Sequence, residues 1–329
     1  MSDPSPRPVF VIGSFVMACC WFTPRLPARG EHVHADGFLM EPGGKGLNVA
    51  VGLRRLGAPV HLLLGVGDDM AAQALLGRLR QEGLSDAHVH RFAGPSGHGV
   101  GLIDQAGDNI IAVHPGANHL LGREHARAAA VDIAASAVVY AQFEAPDEAI
   151  AEAFRLARQA GASTVLNPSP WRPIASEVLQ QVDTLLLNEH EARALWGAQT
   201  DASGPTSARD SGEGLSPDEF EAVRAWRQAH PGVQLLVTLG EAGCWLWPAG
   251  ADVDSPRHHP ARRVQAVDTT GCGDAFAAAW CQALAAGLDA SPALHLATSA
   301  GAWVASRQGV LGALPSGDEL KAWMTGAGP

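Results

Sequence analysis

Short apolar runs alternating with amphipathic segments constrain this chain more than any other feature. From Ala137 onward the runs AVVYAQF, STVLNP, TLLLN and VQLLVTLG are interleaved with PDEAIAEAFRLARQAG, EHEARALWG and PDEFEAVRAWRQAH, in which apolar residues recur at helical spacing. Runs without a polar face suit strands covered on both sides, and strands joined through helices form a parallel sheet with helices on both faces. The expected fold is therefore α/β. In the N-terminal half, Val9 to Val16 reads as one buried first strand. GGKGLNVAVGLRRLGA and MAAQALLGRLRQEG read as helices, with VHLLLGVG and AHVHRF as the strands that follow them. GVGLIDQAGDNIIAVH reads as a hairpin about Ala106, Gly107 and Asp108. Its expected partner is the irregular stretch from Cys19 to Pro42, including the alternating piece GEHVHADGF, so that the two form a small sheet outside the main layer.

Two boundaries are legible. Ser216, Pro217 and Glu219 carry a capping box with proline in the first turn, and Ser316 with Glu319 repeats it. Residues 197–216, rich in Gly, Ser, Asp and Thr, read as a mobile surface loop. No internal repeat or linker divides the chain, so 1–329 reads as a single domain.

Composition excludes some partners. Lys+Arg 23 against Asp+Glu 34 gives a net charge of −11, which argues against a nucleic-acid backbone as partner. The run VFVIGSFVMACC is too short to span a membrane, three prolines precede it, and no cleavage-site pattern follows. Five cysteines without CxxC spacing argue for a reducing compartment, hence a cytoplasmic protein. The pairs His32/His34, His88/His90 and His258/His259 lack the spacing of two ligands on one helix and read as surface or strand-face histidines.

Chemistry concentrates in Asp268-Thr269-Thr270-Gly271-Cys272-Gly273-Asp274, which runs into the small-residue helix AFAAAWCQALAAG. Two glycines permit a tight turn, and a helix start adds unpaired N–H groups and a positive dipole end, so the stretch has the makings of an anion hole. Asp274 at its rim is either a base beside a phosphoryl-transfer site or a helix cap. Gly43-Gly44-Lys45-Gly46 again puts bare backbone and a cation at a helix start, without Walker A spacing, and Asn48 lies one turn further on. Asn188 and Glu191 end one strand and open a helix, Thr238 and Gly240 close another, and Glu144 closes a third. The carboxyl edge of such a sheet is where ligands bind.

Together GGKGLNVAVGLRRLGA, HPGAN, LNPSP, LNEHEARAL, VTLGEAG and VDTTGCGDAF resemble the ribokinase-like (PfkB-type) sugar kinase family, in the same order over nearly the whole chain. The resemblance implies a ribokinase-like three-layer sandwich with a mostly parallel central sheet and a small β lid, here about 17–42 and 95–114. It implies an ATP-dependent kinase acting on the primary alcohol of a small sugar or sugar derivative. A nucleoside kinase of the same fold and an inactive sugar-binding homologue are the alternatives. By resemblance, Asp274 is the base and the amides of Gly271, Cys272 and Gly273 form the anion hole. Gly44, Lys45, Asn48 and Glu144 match sugar-contacting positions, and Thr238 and Gly240 match nucleotide-contacting ones. Asn188 and Glu191 match the phosphate and Mg²⁺ neighbourhood. Asp268 and Thr270 match part of a monovalent-cation loop, which implies K⁺ activation, and family lids can pair into a homodimer. One departure stands out. Where the family has Gly-Ser-x-Asn-x-Asp after the first strand, this chain has Val16 and Ala18 in place of the two hydroxyl-binding side chains.

Overall fold

Strand β1 (Val9–Ile12) lies inside the main sheet, with Val9 and Val11 in one core and Phe10 and Ile12 in the other. All four are fully buried, as an uninterrupted apolar strand covered on both faces requires. The sequence predicts one strand from Val9 to Val16; the structure instead ends it at Ile12 and starts β2 (Val16–Thr23) in a second sheet. The cause is contact with helix α1 (Lys45–Arg55), since a Cβ on Gly46 would lie only 2.1 Å from the Gly13 Cα. Two glycines let helix and strand end touch through their backbones, which turns the chain out of the sheet. This computed structural model describes residues 6–106, 108–197, 214–250 and 255–326, and most of the loop expected at 197–216 lies outside them.

β3 (Gly37–Gly43) runs antiparallel to β2, and only the end of the alternating GEHVHADGF piece joins it. β4 (Val60–Val66), α2 (Met70–Glu82) and β5 (Val89–Arg91) follow. Asp69 caps α2 by accepting the Ala72 amide at 3.0 Å, and Gly83 ends it in the left-handed region. β6 (Gly97–Asp104) and β7 (Asn109–His114) form the expected hairpin, pinned by Asp104 Oδ1, which accepts the amides of Ala106 and Asp108. The small sheet has the order β3-β2-β6-β7.

Helices α3 (Arg123–Ala128) and α4 (Ala130–Ala135) lead to β8 (Val138–Gln142). The predicted alternation then follows: α5 (Asp147–Gln159), β9 (Ser163–Asn167), α6 (Ser176–Leu179), β10 (Thr184–Asn188), α7 (Glu189–Gly197), α8 (Pro217–Ala229) and β11 (Gln234–Thr238). β12 (Cys244–Trp247) and β13 (Arg257–His259) add an antiparallel edge. Helices α9 (Cys272–Ala285), α10 (Ala290–Ala305) and α11 (Gly317–Met324) close the chain. The capping boxes of Ser216 with Glu219 and Ser316 with Glu319 both form.

The large sheet has the order β13-β12-β11-β10-β9-β8-β1-β4-β5 and is parallel from β11 to β5. Buried residues of α1, α2, α9, α10 and α11 fill the core on one face, and those of α3 to α8 fill the core on the other. The result is three layers, with the small sheet outside them. All five cysteines are free thiols. Among the described residues no helix is long and apolar enough to cross a membrane.

One packing contact matters for the site. A Cβ on Gly52 of α1 would come 2.9 Å from the Ala278 Cβ of α9, so the two helices approach almost backbone to backbone. Small residues permit that approach, and Ala275, Ala277, Ala278 and Ala279 are all buried. One turn earlier on each helix, the same ridge brings Asn48 against Asp274.

Candidate active site

The strand ends of β9, β10 and β11 and the first turns of α1 and α9 border a cleft lined by Lys45, Asn167, Ser169, Asn188, Glu191, Thr238, Gly273, Asp274 and Phe276. This is the carboxyl edge of a parallel sheet, where side chains leaving different strands converge.

Asp274 occupies the third position of α9, whose N-cap is Gly271 in the left-handed conformation with φ 80°. It is therefore not the cap of that helix. Its Oδ2 accepts a hydrogen bond from Asn48 Nδ2 at 2.8 Å, and its Oδ1 lies 3.9 Å from Lys45 Nζ. Asn48 Oδ1 is buried without a partner among the described residues, so the amide spends its donor side on the carboxylate. The Lys45 pKa is raised chiefly by Asp274, with Glu144 and Glu191 adding to this against the opposing effect of burial. A cation that stays charged thus faces a nearly buried carboxylate at a helix start.

The loop before α9 is braced by Asp268. Its Oδ1 accepts the Thr270 amide at 2.9 Å and its Oδ2 the Gly309 amide at 3.1 Å. Gly271 cannot carry a side chain, because a Cβ there would meet Val310 Cγ1 at 2.6 Å with φ already positive. The amides of Gly271 and Gly273 have no protein acceptor among the described residues, whereas the Cys272 N–H reaches back to the Thr269 carbonyl at 3.3 Å. Of the three amides expected to form the anion hole, two are free. Burial, followed by the charges of Asp268 and Asp274, pushes the Cys272 thiol up to about 11, which keeps it protonated and unreactive near neutral pH.

The start of α1 departs from expectation. Two of the N–H groups foreseen as bare there, those of Lys45 and Gly46, are occupied by the protein itself, as is that of Leu47. The Lys45 amide donates to Glu144 Oε2 at 2.9 Å, Gly46 to Ser14 Oγ at 3.3 Å and Leu47 to the Ser14 carbonyl at 3.2 Å. Glu144 also accepts the Ser14 hydroxyl, and Gln142 Nε2 donates to Ser14 Oγ at 3.0 Å. A carboxylate at a helix start is electrostatically favoured, so this end of α1 holds Glu144 where a phosphate was conceivable. Gly44 is needed there because a Cβ would meet the Ser14 carbonyl oxygen at 2.6 Å with φ 110°.

Asn188 and Glu191 cap α7 reciprocally. The Glu191 amide donates to Asn188 Oδ1 at 2.8 Å, and Glu191 Oε2 accepts the Asn188 amide at 3.0 Å and Asn167 Nδ2 at 3.3 Å. Glu191 Oε1 has no protein donor among the described residues, and Glu191 lines the cleft. Such an oxygen fits a water of a bound Mg²⁺. Thr238 stands beside Asn188 in the β10–β11 register, while Gly240 is exposed just past β11 with φ 55°. Of the positions the sequence marks as candidates, Lys45, Asn188, Glu191, Thr238, Gly273 and Asp274 share one cleft. Asn48, Glu144 and Asp268 support it through hydrogen bonds. Ser14, Asn167 and Ser169 join the site without any local pattern that marks a role for them, apart from the polar LNPSP string at the end of β9.

A buried carboxylate, a fixed cation and two free amides at the head of one helix can accept a proton and stabilise a phosphoryl group side by side. The model of the family described as pfkB family carbohydrate kinase matches residues 7–316. Ribokinase of Bacillus subtilis is 30% identical over 315 residues, covering 96% of this chain and 98% of that protein. Deoxyribokinase of Salmonella typhi is 28% identical over 322 residues, covering 96% and 98%. Arabidopsis thaliana ribokinase, solved in complex with ribose and ATP, superposes with a TM-score of 0.83 at 26% identity over 97% of this chain and 98% of that one. The expected ribokinase-like fold, with its mostly parallel central sheet and small antiparallel-edged second sheet, is the one observed. On sequence and fold alike, the chain belongs to the pfkB family of carbohydrate kinases.

Proposed function

We propose that this ATP-dependent carbohydrate kinase phosphorylates the primary alcohol of a small sugar derivative, with Asp274 as the base. The observation that carries the reading is the head of α9: a nearly buried carboxylate positioned by Asn48 and Lys45, beside the free amides of Gly271 and Gly273. As the acceptor oxygen attacks the γ-phosphorus, its proton passes to Asp274, the bond to the ADP oxygen breaks, and the amides receive charge on the transferred group. Lys45 places a positive charge 3.9 Å from that carboxylate. Thr238 and Gly240 border the nucleotide, and Asn188 and Glu191 its phosphates. Glu191 would hold Mg²⁺ through water, which supplies charge neutralisation between the phosphates. Asp268 and Thr270 would brace a K⁺-dependent form of the loop.

The small sheet is the proposed lid. Val16, Ala18 and Cys20 share one face of β2 by strand alternation. Burial first, then the charges of Glu41, Cys19 and Asp268, raise the Cys20 pKa on this face. An apolar Val16 and Ala18 there give up hydroxyl recognition, and a site that lacks a hydrogen-bonding partner discriminates less. Wild type and the double variant Val16→Asn/Ala18→Asp are to be assayed for ADP release on pentoses, deoxypentoses, hexoses and nucleosides, with and without Mg²⁺ and K⁺. Wild type is expected to turn over a sugar derivative poorer in hydroxyls than ribose, and the double variant to gain about tenfold or more in kcat/KM for ribose. A wild type responding only to nucleosides would sink the sugar assignment.

Phe38, Met40, Val100 and Ile110 share one face of the small sheet and are 57, 59, 40 and 52% exposed. Contiguous exposed apolar side chains on this scale mark an interaction surface, and a second copy of this chain is the proposed occupant. Sedimentation velocity is expected to give a dimer for wild type and a monomer for Met40→Arg/Ile110→Glu; a wild-type monomer at micromolar concentration would exclude it.

A further inference from the structure

At the end of the central sheet opposite the Asp274 cleft, three elements direct donor atoms at one spot. His61 is the second residue of β4, in register with Phe10 of β1; His88 immediately precedes β5; Asp132 lies on α4. One donor atom from each of His61, His88 and Asp132 lies within 4.8 Å of the other two. Asp132 Oδ2 is 2.6 Å from His88 Nε2 and 3.7 Å from His61 Nδ1. The Phe10 ring backs both imidazoles, with centroid distances of 6.3 and 5.7 Å, and the imidazoles meet edge-on at 6.2 Å.

We propose that His61, His88 and Asp132 bind one Zn²⁺ ion per chain. A hydrogen bond between His88 and Asp132 would satisfy that pair alone and gives no reason for a second imidazole nitrogen to converge on the same oxygen. Around a tetrahedral ion at about 2.0–2.1 Å, neighbouring ligand atoms sit about 3.3 Å apart. The 2.6 Å pair must open and the 3.7 Å pair close by less than an ångström, within reach of side-chain rotation. Two nitrogens and one carboxylate oxygen select a borderline transition ion over Mg²⁺ or Ca²⁺, which take oxygen ligands. Partial exposure of all three side chains leaves an approach for the ion and a fourth position for water. Their sequence separations of 27 and 44 residues are invisible to any local spacing rule, since β4, β5 and α4 bring them together. The ion would staple β5, a strand of three residues at the sheet edge, and α4 to β4.

The test uses the full, tag-free chain without nucleotide. Zn²⁺ is titrated against a chromophoric chelator, Co²⁺ is followed by visible absorption, and Tm is measured with Zn²⁺ and with EDTA. Expected are one Zn²⁺ per chain, Co²⁺ bands of tetrahedral intensity, and a Tm raised by Zn²⁺ through preferential binding to the folded state. His61→Ala/His88→Ala is expected to abolish all three. His88→Gln keeps a hydrogen-bonding group for Asp132, so it should fold as wild type in EDTA yet bind Zn²⁺ about tenfold or more weakly. No stoichiometric Zn²⁺ on wild type overturns the proposal, as does binding unchanged in both variants, which would place the ion elsewhere.

Discussion

Asp274→Asn is expected to lower kcat by about 10³-fold, within the range for loss of a positioned base, while ATP affinity and Tm stay near wild type. The substitution is nearly isosteric, and an amide oxygen can still accept the Asn48 donor that Oδ2 accepts now at 2.8 Å. What disappears is the proton acceptor and the negative charge 3.9 Å from Lys45 Nζ. Single-turnover phosphoryl transfer with nucleotide titrated separately distinguishes chemistry from binding. A kcat within about fivefold of wild type would show that the proton leaves by another route. This outcome is independent of which sugar is accepted, because it is measured on whatever acceptor the panel identifies.

Gly46→Ala is expected to destabilise the fold by about 3 kcal/mol or more, at the upper end for overpacking, and to lower kcat as well. The added Cβ would lie 2.1 Å from the Gly13 Cα and 2.5 Å from the Ser14 amide nitrogen, backbone atoms that no rotamer change can move. Helix α1 must then shift off the end of β1, loosening the bonds from the Gly46 and Leu47 amides to Ser14 and moving Asn48 away from Asp274. Urea unfolding midpoints measure the effect. Gly77→Ala in the middle of α2 is the contrast, since its new Cβ meets nothing within 4 Å and helix propensity predicts a gain of about 0.5–1 kcal/mol. Equal responses of the two variants would refute the backbone-contact argument.

Much of this architecture is written locally. Alternating apolar runs and helical periodicity mark β8 to β11 with α5, α7 and α8 between and beside them, because a strand covered on both faces must be apolar throughout. Ser216 with Glu219 is a local hydrogen-bonding device and forms as read. Helices α3 and α4, six residues each, are too short for periodicity to register, and α10 is so heavily buried that it shows little polar contrast. The split of the first apolar run also escapes hydropathy, because Ile12 and Val16 are alike in polarity and only the contact with Gly46 separates them.

The same division holds for the site. By itself the sequence determined the α/β frame, the strand ends that carry Asn188 and Thr238, and the glycine turn that opens α9 before Asp274, since each follows from residues within a turn or a strand of one another. Only the tertiary structure decided that Glu144, 99 residues from Lys45, occupies the start of α1, that Asn48 meets Asp274 across 226 residues, and that His61, His88 and Asp132 converge. Charge and hydrogen-bond partners act over a few ångströms of space, and distance along the chain says nothing about which groups will lie that close.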